Sequence, residues 1–231
     1  MSSATTSPRS RAGGRSWSAV IGTLVLAWAI LLGLVIGVGR LLTDPLEHSV
    51  GSSDNALARW FVGERTSSLN GVAESLDLLG DTRTVLVLAP LIALGIGLWR
   101  HDVRPALFVA LTTVGASGIY VLAANAAHRP RPPVKILDQG LDPTHSFPSG
   151  HVGAATALYG LIAVLVWTYA WVARWWVAPV CILPLLVAVS RMYEGAHHLS
   201  DVLTSVVYAT SWLTVTARTL LPRRSAEDPQ R

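Results

Sequence analysis

Three polar stretches of this sequence contain the residue types that bind phosphate and transfer protons. They are HRPRPPVK at 128–135, SFPSGH at 146–151 and SRMYEGAHHLSD at 190–201. Arginine side chains and helix N-termini bind phosphate groups, whereas histidines act as acids, bases or nucleophiles. The three stretches therefore carry the parts of a phosphate-handling site, provided that the fold brings them together.

The first stretch contains two arginines, Arg129 and Arg131, each followed by a proline. A residue before proline is disfavoured in the helical region, so both arginines are expected on extended backbone. The planar guanidinium group can bind an oxyanion with two parallel hydrogen bonds, which indicates a phosphate site. Interfacial arginines that contact lipid headgroups are the alternative interpretation.

The second stretch predicts a helix that begins at or just after Pro148-Ser149-Gly150. The free N–H groups and the positive dipole end of such a helix form a ready anion site. Ser149 adds a hydroxyl donor, Gly150 lets the backbone approach closely, and His151 faces the same place. A plain helix cap followed by a histidine is the structural alternative.

In the third stretch, His197 and Asp201 are four residues apart. They share one helix face if a helix begins near Gly195 or Ala196. A carboxylate that accepts the Nδ1–H of His197 fixes the tautomer and leaves Nε2 as a nucleophile. Arg191 lies six residues before His197. A helix-capping pair is the structural alternative for His197 and Asp201.

Together the three stretches predict phosphoryl transfer through a phospho-histidine. His197 attacks phosphorus, and His151 protonates the leaving oxygen and later activates water, while Asp201 orients His197. The predicted phosphate-binding residues are Arg129, Arg131, Ser149, Gly150 and Arg191. Their positive charges and N–H groups stabilise the equatorial oxygens of the transition state, so no metal and no other cofactor is predicted. A zinc site at these histidines is the weaker alternative, because the arginines repel a divalent cation.

The elements that must position these residues are predicted to be membrane-spanning helices. Hydrophobic residues make up 51% and charged residues 14% of the 231-residue chain, which is too apolar for an ordinary soluble domain. Charge-free windows of about the length needed to cross a bilayer cover 16–39, 84–99, 105–127, 152–173, 175–190 and 202–217. The sequence therefore predicts an all-α bundle of six transmembrane helices over 16–221.

The distribution of arginine predicts the orientation of this bundle. If six spans alternate, the arginines at 9–15, 100–104, 174 and 218–224 fall on one side, which the positive-inside rule makes cytoplasmic. Both termini are then cytoplasmic, and the three polar stretches face the outside of the plasma membrane. The arginines follow the topology, so no nucleic-acid partner is predicted.

The remaining segments are predicted to be short or irregular. Residues 1–15 and 222–231 are polar and predict disordered cytoplasmic tails. In 43–83, apolar residues recur at mixed three- and four-residue steps, which predicts short amphipathic helices on the outer surface. The expected partners are the bilayer and a lipid substrate, and the sequence makes no prediction of oligomeric state.

The second and third stretches resemble the motifs of the membrane type 2 phosphatidic acid phosphatases. That family shares its site with bacterial acid phosphatases and vanadium haloperoxidases. Its second motif reads Pro-Ser-Gly-His, as at 148–151, and its third runs from Ser190-Arg191 through His197 to Asp201 at full spacing. The resemblance implies an all-helical, six-span lipid phosphatase with its site at the outer membrane–water interface and no metal cofactor.

The first motif departs from the family pattern. It ends in Arg131-Pro132, but the family's lysine seven residues before that arginine falls on Ala124. The implied substrates are phosphatidic acid, phosphatidylglycerol phosphate, or a polyprenyl phosphate or diphosphate. Because one phosphate-binding cation is missing, a second hypothesis stays open: a non-catalytic membrane protein that binds or translocates a lipid phosphate.

Overall fold

The structure is a computed structural model that describes residues 16–222. Of the two predicted tails, 1–15 and 222–231, all but residue 222 lie outside the described residues. Within 16–222 the chain is all-helical without a β-strand, as predicted. Its α-helices are α1 Trp17–Thr43, α2 Ser52–Gly63, α3 Ser67–Asp77, α4 Thr82–Arg100, α5 Val103–Ala127, α6 Gly150–Tyr169, α7 Val177–Tyr193 and α8 Leu199–Leu220.

Among residues 16–222, five segments are long and apolar enough to cross a membrane. They are Trp17–Thr43, Ser67–Arg100, Val103–Ala127, Gly150–Tyr169 and Val172–Tyr193. Many of the apolar side chains of α1 and α4 point away from the bundle, and Leu26, Leu34, Leu86 and Leu94 are each exposed. Such a surface is suited to lipid chains and not to water.

The predicted sixth span, 202–217, lies within α8, which is richer in Ser and Thr than the other long helices. This helix packs against α1, α5 and α6. Its hydroxyls donate to carbonyl groups one turn earlier, as Ser205 does to Asp201 at 2.8 Å. Because a helix enclosed by other helices needs little apolar surface, this composition suits the bundle interior. A sixth crossing, by α8, stays a prediction.

The bundle core is built around α6. Its Leu158 and Leu161 are fully buried, together with Phe108 and Ile119 of α5. Helix α6 packs against α5, α7 and α8, so its first turn lies among the ends of those helices. The core therefore fixes the place at which α6 begins.

One end of the bundle, which we call the site end, is where α5 and α7 end and α6 and α8 begin. Helices α2 and α3, which lie in the 43–83 segment, contact α7 there. The Ser190 hydroxyl donates to the carbonyl of Ala73 at 2.8 Å. The Arg65 guanidinium donates to the carbonyl of Tyr193 at 2.9 Å. These bonds fasten the 43–83 segment to the site end.

Candidate active site

The loop between α5 and α6, residues 128–149, brings the first two polar stretches against the third. Ser146 donates its backbone N–H to the carbonyl of Arg129 at 3.0 Å, which folds the loop back on itself. Leu137 donates to the carbonyl of Glu194 at 3.0 Å, which ties the loop to the α7–α8 connection. The three stretches therefore share one end of the bundle, as predicted.

Arg131 braces this loop through backbone carbonyl groups. Its Nε donates to Asp142 at 2.7 Å and its Nη2 to His145 at 3.0 Å. Its Nη1 donates to Ala196, next to His197, at 2.7 Å. Each terminal nitrogen carries a second N–H, so Arg131 can still bind an anion while it holds the loop in place.

Arg191, at the C-terminal end of α7, is fully buried and surrounded by carboxylates. Its Nη1 lies 2.7 Å from Asp77 and 2.8 Å from Glu194, and its Nη2 lies 3.0 Å from Asp138. Its Nε has no hydrogen-bond partner among the described residues. A buried N–H without an acceptor costs about 1–3 kcal/mol, so this edge of the guanidinium is suited to an anionic ligand.

Arg191 also links the two predicted catalytic histidines. His197 donates its backbone N–H to the Arg191 carbonyl at 3.3 Å. His151 Nε2 lies 3.5 Å from the same Asp77 carboxylate that pairs with Arg191. The structure therefore places His151, His197 and Arg191 together at the site end.

The imidazole of His197 is held in its neutral form. Burial lowers its pKa well below the ordinary value of 6.5, and the nearby positive charge of Arg191 lowers the pKa further. A neutral imidazole has a lone pair at neutral pH, which a nucleophile requires.

The partner of His197 differs from the prediction. Its Nδ1 lies 2.6 Å from the backbone carbonyl oxygen of Ser146 and 4.0 Å from Asp201. The cause is that α8 begins at Leu199, after His197, because Gly195 adopts a left-handed φ of 73° and turns the chain before the helix starts. The prediction that Asp201 accepts this N–H directly is wrong.

Asp201 instead holds the residues around His197. Its Oδ2 accepts from the Ser146 hydroxyl at 2.6 Å and from the His198 backbone N–H at 2.9 Å. Since the Ser146 carbonyl accepts the Nδ1–H of His197, Asp201 orients His197 through Ser146. Ser146 is thus a positioning residue that sequence reasoning missed.

Arg129 is used in a buried ion-pair network. Its Nη1 contacts Asp201, and its Nη2 lies 3.0 Å from Asp54 of α2. Two carboxylates already neutralise this guanidinium, which is only 3% exposed. The structure therefore gives Arg129 two carboxylate partners that sequence reasoning missed, and its binding of phosphate stays a prediction.

Helix α6 begins at Gly150, which confirms the predicted start. Ser149 is its N-cap, and the Ser149 hydroxyl accepts from the Val152 N–H at 3.5 Å. A Cβ at Gly150 would lie 2.8 Å from the Tyr120 ring, so a larger residue does not fit there. The hydrogen of the Ser149 hydroxyl remains available to a ligand at this helix N-terminus.

Residues 105–225 match the sequence model of the PAP2 superfamily. The chain belongs to this superfamily. Its fold is similar to a crystal structure described as the first transmembrane PAP2 type phosphatidylglycerolphosphate phosphatase from Bacillus subtilis, with a TM-score of 0.68 and 24% sequence identity. That match covers 85% of this chain and 94% of the other. A comparison with curated protein sequences found no match.

The length and apolar character of this chain's helices support a membrane protein. Asp54 and Asp77 lie before residue 105, outside the matched region. Both contact arginines of the polar stretches, and sequence reasoning assigned neither to the site. A single carboxylate in a short amphipathic helix gives no local signal of such a contact, because the contact depends on how that helix docks.

One cluster of possible metal ligands occurs among residues 16–222. The carboxylates of Asp77, Asp138 and Glu194 lie within 4.8 Å of one another. Arg191 contacts all three, so its guanidinium already supplies the positive charge that a metal ion would bring. This arrangement does not favour a resident cation.

Proposed function

We propose that this PAP2 superfamily protein is a membrane lipid phosphatase that hydrolyses a phosphate monoester or diphosphate of a lipid. The observation that carries the proposal is the fully buried guanidinium of Arg191, whose partner Asp77 also contacts His151, with an Nε–H that has no partner in the described chain. Phosphate oxygens are the ligands that such a donor edge binds best.

The chemistry proceeds in two displacements. His197 Nε2 attacks phosphorus while its Nδ1–H stays on the Ser146 carbonyl. The bond from phosphorus to the lipid oxygen breaks, its electron pair goes to that oxygen, and His151 supplies the proton. His151 then takes a proton from water as the water oxygen attacks phosphorus. The bond from phosphorus to His197 Nε2 breaks, its electron pair returns to Nε2, and inorganic phosphate is released.

The phosphate contacts come from Arg191, Arg131, the Ser149 hydroxyl and the backbone N–H groups at Gly150. They are already fixed by the fold, so they stabilise the transition state without rearranging. The positive charge comes from guanidinium groups, so the proposed reaction needs no metal ion.

A cavity of about 230 Å³ beside Gly150 and His151 is the proposed entrance for the lipid. It shares Val85, Leu86 and Ser117 with an apolar groove of about 420 Å³ between α4 and α5. The headgroup of a lipid phosphate can thus reach His151 while its tail stays in the bundle wall. This supports a substrate that never leaves the bilayer.

The proposed orientation places the site end at the outer face of the plasma membrane and both termini in the cytoplasm. Arg100, Arg104, Arg174 and Arg218 lie at the opposite end of the bundle, as the positive-inside rule requires for that orientation. Cysteine labelling from either side of the membrane, with single cysteines at the exposed positions 139 and 101 in a Cys181→Ser background, tests this directly.

The experiment that tests the activity is phosphate release from purified protein in detergent. Phosphatidic acid, phosphatidylglycerol phosphate and a polyprenyl diphosphate are supplied in turn, with and without EDTA. At least one is expected to release phosphate equally with and without EDTA. His197→Ala is expected to lose roughly 10³-fold or more, as removal of a nucleophile does elsewhere. Full turnover by His197→Ala would exclude the phospho-histidine mechanism.

The second candidate function is binding or translocation of a lipid phosphate without hydrolysis. Two observations favour it: Ala124 replaces the family's lysine, and Arg129 is occupied by Asp54 and Asp201. It predicts saturable binding of a lipid phosphate with no phosphate release by the wild-type protein on any substrate of the panel.

A further inference from the structure

Helix α3 places a carboxylate against the proposed acid of the reaction. Asp77, the last residue of α3, has its Oδ2 3.5 Å from His151 Nε2 and its Oδ1 2.7 Å from Arg191 Nη1. Asp77 therefore bridges the second and third polar stretches, although it lies in neither. It also lies outside the region that matches the superfamily.

The position of this carboxylate is fixed by the turn that follows α3. A Cβ at Gly80 would lie 2.7 Å from the His151 carbonyl oxygen, so the turn packs directly on the backbone of His151. The Tyr159 hydroxyl donates to the Leu79 carbonyl at 3.1 Å, which attaches the turn to α6. Because this segment is fixed in place, the distance from the Asp77 carboxylate to the His151 imidazole is fixed as well.

The two nitrogens of the His151 ring have different surroundings. Nε2 lies 3.5 Å from Asp77 Oδ2, an ion-pair contact longer than a usual hydrogen bond, whereas Nδ1 has no polar partner among the residues that the structure describes. His151 also lines the cavity proposed to admit the lipid. Since a carboxylate holds the hydrogen of the ring nitrogen that faces it, Nδ1 is left to exchange a proton with the substrate.

We propose that Asp77 is the positioning residue for His151: its carboxylate keeps a proton on Nε2 throughout the reaction, so that Nδ1 donates to the leaving lipid oxygen and later accepts from water. The proposal rests on the proposed phosphatase function. Asp77 itself neither gains nor loses a proton. It acts through His151 and also holds Arg191, so it couples the acid to the phosphate-binding guanidinium.

The test uses two substrates that differ only in their need for an acid. One is an alkyl phosphate lipid, whose alkoxide must be protonated as it leaves. The other is a 4-alkyl-2-nitrophenyl phosphate of matched chain length, whose nitrophenolate leaves without a proton. A residue that acts only through the acid affects the first substrate and spares the second.

The first variant is Asp77→Asn in the full-length, detergent-solubilised protein. It is expected to lower kcat on the alkyl phosphate by roughly tenfold or more, because the acid is no longer aligned. On the aryl phosphate it is expected to lower kcat by less than about threefold. Asp77→Glu, which keeps a charge near Arg191 but moves the oxygens, is expected to show the same selectivity. Glu74→Gln, an exposed carboxylate one turn earlier in α3, is the matched control and should leave both rates unchanged.

The outcomes separate this inference from the function on which it rests. Equal losses on both substrates in both Asp77 variants would overturn the inference alone. A higher kcat/KM in Asp77→Asn would also overturn it, because Asp77 would then compete with the substrate phosphate. No turnover of either substrate by the wild-type protein would overturn the proposed function and this inference together.

Discussion

The two ends of the bundle use arginine in opposite ways. At the site end, Arg129 and Arg191 are buried and contact carboxylates of α2, α3, α8 and the α5–α6 loop. At the opposite end, Arg100 and Arg104 are exposed and lie over the aromatic rings of Trp99 and Trp17. A buried charge at the site end is stable only while its partners are present. At the other end, water and lipid headgroups can replace the partners of an exposed charge.

The largest loss of activity and stability is expected for Arg191→Ala, at the site end. It removes the proposed phosphate ligand and leaves Asp77, Asp138 and Glu194 without their shared cation. Phosphate release should fall roughly 10²–10³-fold. The free energy of unfolding should fall by about 3–5 kcal/mol, because buried charges lose their partner. Both are measured in detergent by phosphate release and thermal unfolding.

Arg191→Lys separates these two effects. A lysine keeps the positive charge among the carboxylates but lacks the planar fork of donors. It should recover most of the lost stability and little of the lost activity. If activity recovered fully, the Nε edge of Arg191 would not be the phosphate contact.

A smaller effect is expected for Asp201→Asn, which tests the second buried network of the site end. The substitution keeps the shape of the side chain but weakens the bonds from Ser146, His198 and Arg129. The expected loss is about 1–3 kcal/mol of stability. Activity should fall because the Ser146 carbonyl no longer holds His197 in one orientation.

The matched control for this substitution lies at the opposite end. Asp102 caps α5 there by accepting from the Arg104 N–H at 3.0 Å. Asparagine caps a helix about as well as aspartate, so Asp102→Asn should change neither stability nor activity measurably. An Asp201→Asn protein as active as the control would contradict the proposed route from Asp201 through Ser146 to His197.

These two networks also show what could be predicted from the sequence. The polar stretches, the start of α6 and five of the six predicted spans were predictable, because each depends on local composition and on caps a few residues away. The convergence at one end followed because short connections force neighbouring helices to run antiparallel. The position of His197, His151 and Arg191 at one end of the bundle could therefore be predicted from the sequence, whereas their roles in catalysis stay predictions.

The contacts between distant segments were not predictable in the same way. Asp77 reaches Arg191 only because α3 docks on α7, and Asp54 reaches Arg129 only because α2 covers the loop. The Ser146 carbonyl, and not Asp201, accepts the Nδ1–H of His197 because of the turn at Gly195. Periodicity in a single sequence contains no information about such docking, so the carboxylate partners of Arg129 were missed.

A pH dependence of stability is expected from Glu194. Burial raises the pKa of this carboxyl from an ordinary 4.5 to about 7, although Arg191 opposes the shift. Between these values the folded protein binds a proton that the unfolded chain has released. Stability should therefore decrease as pH rises from about 4.5 to about 7 and level off above it.

Glu194→Gln should remove most of this decrease, since the residue then no longer titrates. Thermal unfolding between pH 4 and pH 8 measures it, with Glu64→Gln as the control because Glu64 is exposed and lies outside this cluster of carboxylates. An unchanged pH profile in Glu194→Gln would mean that another group of the site end is responsible.

The smallest effect is expected for Arg100→Ala, which tests the opposite end. The guanidinium lies 4.9 Å from the Tyr169 ring centroid and 5.5 Å from that of Trp99. An exposed contact of this kind contributes about 0.5–1 kcal/mol, so the loss of stability should not exceed that range. Arg104 and Arg174 remain, so the protein should keep the same orientation in the membrane. Phosphate release should stay within about twofold of the wild-type rate, because the removed charge is a bundle length from the proposed active site and is screened by water. A large loss of activity would show that the two ends are coupled through α4, α5 or α6. The contrast between interdependent buried arginines at the site end and dispensable exposed arginines at the opposite end would then no longer hold.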